Sequence, residues 1–128
     1  MSHCVLLVED NALNLELHRD LLEASACTVV VASTVADARA LLAAGLVPDV
    51  ALLDILLPDG SGIEVYEALR HMAHLRHVPV IAVTAQALTG DVPRLLAAGF
   101  DAVITKPIDT RTFSACVTQC RRRPEASP

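Results

Sequence analysis

Val50-Ala51-Leu52-Leu53-Asp54-Ile55-Leu56-Leu57-Pro58 carries one carboxylate in an otherwise apolar run. Four apolar residues followed by an acid read as a buried β-strand that closes on Asp54. A lone carboxylate there is costly unless something pairs with it or coordinates it. Three other segments supply such groups: Val5-Leu6-Leu7-Val8 precedes Glu9-Asp10, Val80-Ile81-Ala82-Val83 precedes Thr84, and Ala102-Val103-Ile104-Thr105 precedes Lys106-Pro107. All four polar signals stand at C-terminal strand ends, the edge of an open parallel α/β sheet where ligands bind.

Working outward, strands are expected near 4–8, 28–32, 50–53, 80–84 and 102–105, each a short run rich in Val, Leu or Ile. Helical patterns lie between them. Asn11 to Ala24 places Asn14, Leu17, Leu21 and Ala24 on one face, taken as the core stripe, with Leu15 opposite and Leu13 beside it. Val35 to Ala44 opens with Thr34-x-x-Asp37 and Gly62 to His71 with Ser61-x-x-Glu64, both capping-box signatures. Gly45 and Gly99 read as helix C-caps, and Pro93, just after Asp91, suits the first turn of a fourth helix. Thr110 to about Arg122 is the fifth, capped by Asp109. Five βα units in alternation predict an α/β fold, a doubly wound five-stranded parallel sheet of flavodoxin-like order 2-1-3-4-5. Its first and third strands are neighbours, which puts Glu9-Asp10 beside Asp54.

At 128 residues and 53% hydrophobic content the chain is one domain with ample material for a core. Its longest apolar stretches are of strand length, and the N-terminus lacks the basic and long apolar regions of a signal peptide, so the expectation is a soluble, cytoplasmic protein with no membrane contact. Fifteen acids against ten bases give a net charge of −5, which argues against nucleic acid as a partner. Arg121-Arg122-Arg123 reads as a complement to the last helix dipole. Cys4, Cys27, Cys116 and Cys120 read as ordinary thiols, and His71, His74 and His77 as surface residues crossing a helix end.

Three carboxylates in one pocket repel one another unless a divalent cation sits among them, and an oxygen-only set suits Mg²⁺. A lysine and a threonine on the facing wall then stabilise a transferring phosphoryl group, which leaves Asp54 as a nucleophile forming a transient aspartyl phosphate.

With Glu9-Asp10, Asp54-x-x-Leu57-Pro58-x-x-x-Gly62, Thr84-Ala85 and Lys106-Pro107 in family order and spacing, the chain resembles a CheY-like response-regulator receiver domain from about Val5 to Val117. Glu9-Asp10-Asn11-x-x-Asn14 and Val83-Thr84-Ala85-x-Ala87-x-x-Gly90-Asp91 resemble most the DivK-type single-domain regulators and the receivers of hybrid kinases. The resemblance implies that Asp54 accepts a phosphoryl group from a phosphohistidine on a histidine kinase or a histidine phosphotransfer protein. It implies that Asp10, Asp54 and the Leu56 carbonyl ligate Mg²⁺, with Mn²⁺ as the alternative ion, while Glu9 acts through a metal-bound water. Thr84 and the Ala85 N–H would meet phosphoryl oxygens, Lys106 would pair with the phosphoryl group, and the Lys106-Pro107 peptide would be cis. On this reading residues 1–122 form the receiver and 123–128 a short tail with no output domain. The protein is then a signalling module and not an enzyme in the ordinary sense. It works as a monomer or weak homodimer by phosphorylation-dependent binding of a downstream protein.

Departures from the pattern narrow this. Val103 stands where many receivers carry Tyr or Phe, so aromatic rotation cannot be the readout, and the change is expected in the loop from Ala85 to Asp91. Leu56 and Gln86 border the path of an attacking water. Leu56 also excludes a haloacid-dehalogenase type hydrolase, which needs an acid at that position. A flavodoxin is excluded because no Ser/Thr/Gly-rich phosphate loop follows the first strand. The alternative kept is a pseudo-receiver adaptor that binds partners without phosphoryl transfer.

Overall fold

The structure, a computed structural model, describes residues 3–85 and 91–122. Strands β1 (His3–Val8), β2 (Cys27–Ala32), β3 (Val50–Asp54), β6 (Val80–Thr84) and β7 (Ala102–Thr105) pair in parallel in the order β2-β1-β3-β6-β7, with a two-residue hairpin, β4 (Leu56–Leu57) and β5 (Gly60–Ser61), after β3. This is the predicted order 2-1-3-4-5 of the doubly wound sheet. The near-continuous apolar strands are explained by helices on both faces. Leu6, Val8, Ala51, Leu53 and Ala82 pack into one core, and Val5, Leu7, Val50, Leu52, Ile81 and Val83 into a second core on the other face.

Helices α2 (Val35–Ala43), α3 (Gly62–His71) and α4 (Asp91–Ala98) serve the first core, and α1 (Ala12–Ala24) and α5 (Phe113–Thr118) the second. Caps behave largely as predicted. Ser61 Oγ accepts the Ile63 N–H while Glu64 accepts the Ser61 N–H, and Thr34 Oγ1 accepts the Asp37 N–H. Gly45 and Gly99 hold φ of +108° and +119° at helix ends, a region open to glycine without penalty.

Two expectations are corrected. Of the expected core face of α1, Leu21 packs half-buried against the second core, but Asn14, Leu17 and Ala24 are not part of it. His18 and Leu22 are its buried residues, Leu15 packs half-buried beside them, and Leu17 joins Leu13 among the exposed side chains. His18 belongs to the stripe because its ring lies 5.0 Å from that of Phe113 on α5, so a residue counted as polar fills an apolar position. The fifth helix is also shorter than 110–122: residues 110–112 form a turn, in which the Asp109 carboxylate accepts the Arg111 N–H instead of capping the helix.

The arginines after α5 divide their work. Arg121 donates to the Thr118 and Cys120 carbonyls, as helix-end complementation requires, whereas Arg122 pairs at 2.6 Å with Asp101. Asp101, its side chain fully enclosed, also takes the Val80 N–H and the Arg70 guanidinium, thereby tying α3 and the end of α5 to the start of β6. All four cysteines are free thiols.

Candidate functional site

Register assembles the site. Val8 pairs with Leu53, Asp54 with Val83 and Thr84 with Thr105, so the residues one step further on, Glu9, Thr84 and Lys106, converge with Asp54 at one sheet edge. The ladder runs past the strands: Glu9 N–H donates to the Ala32 carbonyl, Ile55 N–H to Val83 and Lys106 N–H to Thr84. These bonds fix the backbone of each polar residue. Above this edge opens a cleft of about 330 Å³ lined by Glu9, Asp10, Asp54, Thr84, Ala85 and Lys106 among others.

Glu9, Asp54 and Thr84 are buried, whereas Asp10 is exposed. Carboxylate oxygens of Glu9, Asp10 and Asp54 lie within 4.8 Å of one another. Lys106 is nearer to the acids than a facing wall implies: its Nζ stands 2.8 Å from Glu9 Oε1 and 2.9 Å from Asp54 Oδ2. Asp54 Oδ1 accepts the Leu56 N–H at 3.1 Å, so both carboxylate oxygens are held. Burial, reinforced by the hydrogen bond to Asp54, pushes the Glu9 carboxyl up to about 7 despite Lys106. Burial presses the Lys106 ammonium down, but its bonds to Glu9 and Asp54 more than offset this and leave it raised. The Lys106-Pro107 peptide is cis.

All the sequence-predicted side chains therefore meet at this cleft, and Leu56, 68% exposed, stands at its rim. Val103 is half-buried against the first core. Gln86 and the loop expected to respond, through Gly90, lie outside the described residues.

Three contributors had no site role assigned from sequence, although Gly62 and Asp91 stand in the motifs quoted above. Gly62 sits where an added Cβ would overlap the Asp54 carbonyl oxygen, which accounts physically for the glycine eight positions after the acid. Asp59 accepts the Val35 and Ala36 N–H groups, so the loop following Asp54 caps α2, and these bonds hold its carboxyl below the usual range. Asp91 and Arg94 form an ion pair on the wall of the cleft. Their i, i+3 spacing after a strand-end threonine was the available signal.

A family model described as "Response regulator receiver domain" matches residues 5–118. The polar-differentiation response regulator DivK of Brucella abortus is 46% identical over 114 residues, which span 88% of this chain and 91% of the relative. The receiver domain of sensor histidine kinase PA1611 from Pseudomonas aeruginosa PAO1, solved with a magnesium ion coordinated in its active-site cleft, aligns with a TM-score of 0.83 and 28% identity over 94% of this chain and 98% of that one. The chemotaxis response regulator CheY4 of Vibrio cholerae shares the fold, with a TM-score of 0.83 at 21% identity over 93% of this chain and 98% of that one.

Proposed function

The chain belongs to the response-regulator receiver domain family, and on that premise we propose that it is a phosphorylation-switched signalling module of the DivK type whose phosphoacceptor is Asp54. The observation that carries this reading is the placement of Asp54: a buried carboxylate at the floor of a cleft, one oxygen on the Leu56 N–H and the other on Lys106 Nζ. That environment holds the attacking oxygen in one orientation.

An Asp54 oxygen attacks the phosphorus of a phosphohistidine, presented by a histidine kinase or histidine phosphotransfer protein. The phosphorus–nitrogen bond breaks, and the imidazole leaves with its electron pair. Lys106, already at hydrogen-bond distance from Asp54, follows the charge onto the phosphoryl oxygens. The Thr84 hydroxyl and the Ala85 N–H serve the remaining oxygens from the end of β6 and the residue after it.

The hard oxygen set of Glu9, Asp10 and Asp54, within 4.8 Å, fits Mg²⁺ or Mn²⁺, with the Leu56 carbonyl as a further ligand. Bound there, the cation would neutralise the charge that the acids and the phosphoryl group bring together. Glu9, raised to about 7 by burial, would ionise more readily beside such a charge. The phosphorylated domain then signals by binding a downstream protein, as a monomer or weak homodimer in the cytoplasm. No described helix is long and apolar enough to cross a membrane.

The test is incubation with acetyl phosphate and Mg²⁺ followed by intact-mass measurement. Wild type gains one phosphoryl group and Asp54→Asn gains none. A wild type that stays unmodified would instead support a constitutive adaptor.

A further inference from the structure

The cleft has an entrance as well as a floor. Asp91 and Arg94, in the first turn of α4, line the same cavity as Asp54, Thr84 and Lys106. Arg94 Nη2 donates to Asp91 Oδ1, and the pair is asymmetric, the Asp91 side chain being 8% exposed and that of Arg94 76%. An ordinary i, i+3 pair has both partners in solvent and contributes little. Here the acid is buried in the wall of a pocket that already holds Glu9, Asp10 and Asp54, where a fourth negative charge would repel any entering phosphate. The arginine cancels that charge.

Lys106 is engaged with Glu9 and Asp54. Among the described lining residues, Arg94 is then the cation not tied to the reacting carboxylates. Asp91 occupies one of its nitrogens, and the planar fork keeps donors for the oxygens of a phosphate.

We propose that Arg94 is a specificity-determining residue for the phosphodonor, meeting the phosphoryl oxygens of a small acyl phosphate as it enters the cleft. The inference rests on Asp54 phosphorylation as read above and adds the group that receives the donor. In the step, an Asp54 carboxylate oxygen forms its bond to phosphorus as the phosphorus–oxygen bond to the acyl group breaks. The acyl oxygen departs with the electron pair as a free carboxylate, and no proton moves to or from Arg94.

The experiment follows intact mass against time over a range of acetyl phosphate concentrations at fixed Mg²⁺, for wild type, Arg94→Gln, Arg94→Lys and the double variant Asp91→Asn/Arg94→Gln. Arg94→Gln should lower the second-order rate about 10-fold, mainly by raising the half-saturating donor concentration, which marks lost binding of the donor. Arg94→Lys should recover part of this. The double variant should stay slow, and the Mg²⁺ midpoint in thermal melts should move less than about twofold. The double variant also guards against a fold defect from a bared Asp91, because it removes that charge.

An Arg94→Gln protein with wild-type half-saturation overturns the proposal. So does a double variant restored to wild type, which would make the arginine a mask for Asp91 alone, or a rate loss matched by lost Mg²⁺ affinity. Absence of phosphate on wild type removes the phosphoacceptor reading and this inference together. Phosphorylation of Asp54 with Arg94→Gln unaffected removes this inference only.

Discussion

Lys106 Nζ meets Glu9 Oε1 at 2.8 Å across 97 residues of chain, and the same ammonium reaches Asp54. The protein thus carries a built-in counter-ion for an acidic pocket, placed where a cation and a phosphoryl group would also bind.

Lys106→Met leaves Glu9 and Asp54 buried without their cation, so metal-free stability near pH 8 should fall by about 2 kcal/mol. Mg²⁺ should then bind more tightly and restore more stability than it does in wild type. If Lys106 follows the transferring charge as proposed, phosphorylation by acetyl phosphate should drop at least about 10-fold. Urea titration with and without Mg²⁺, paired with intact mass, checks all three. Unchanged metal-free stability would show that the ion pairs contribute nothing net.

Glu9 gives a pH signature. Its carboxyl is raised from 4.5 to about 7 in the fold, so the folded chain holds a proton that the unfolded chain releases. The resulting stabilisation is complete below 4.5 and is lost as pH rises through about 7. Metal-free melting temperature should therefore decline across that window, and Glu9→Gln should flatten the decline. Stabilisation by millimolar Mg²⁺ should grow over the same window, because the cation prefers the ionised acid, and Asp10→Ala should remove most of it. A Glu9→Gln profile that overlays wild type would refute the assignment.

Gly62→Ala tests the backbone behind Asp54. The new Cβ would overlap the Asp54 carbonyl oxygen and crowd Leu53, so a stability loss of about 2–3 kcal/mol and a slowed phosphorylation are expected together. Gly45→Ala is the contrast: φ there is +108° with open space around the new methyl, so it should cost about 1 kcal/mol and leave the phosphorylation rate alone. Equal phosphorylation rates in the two variants would mean that the close approach at Gly62 does not position the acid.

His18 predicts a stabilising substitution. Its Nδ1 is buried without a partner, and burial, with Lys106 adding, lowers its pKa from 6.5 to about 4. A folded pKa below the unfolded one means stability that is complete above 6.5 and lost as pH falls toward 4. His18→Leu removes the unsatisfied nitrogen and the titration, so it should be about 1 kcal/mol more stable near neutral pH, with the gap widening as pH drops. Thermal melts at several pH values decide this, and a constant gap would sink it.

The sequence by itself determined the sheet, its strand order and the identity of the acids, threonine and lysine at its edge. Period and position sufficed, because apolar runs buried on both faces read as continuous and polar residues interrupt them only where strands end. Gly45, Gly99 and Ser61-x-x-Glu64 were equally legible, since capping chemistry is local. What the tertiary structure decided was everything that depends on a partner from elsewhere in the chain. His18 became core because Phe113 packs on it, Arg122 became an anchor because Asp101 waits at the start of β7, and Lys106 became the counter-ion of two acids because register brings β1, β3 and β7 to one edge. Ala26 holds φ of +65° in the turn before β2, where no glycine announces a left-handed residue. A side chain's burial and charge balance belong to its neighbours in space, and those are set only when the sheet closes its register.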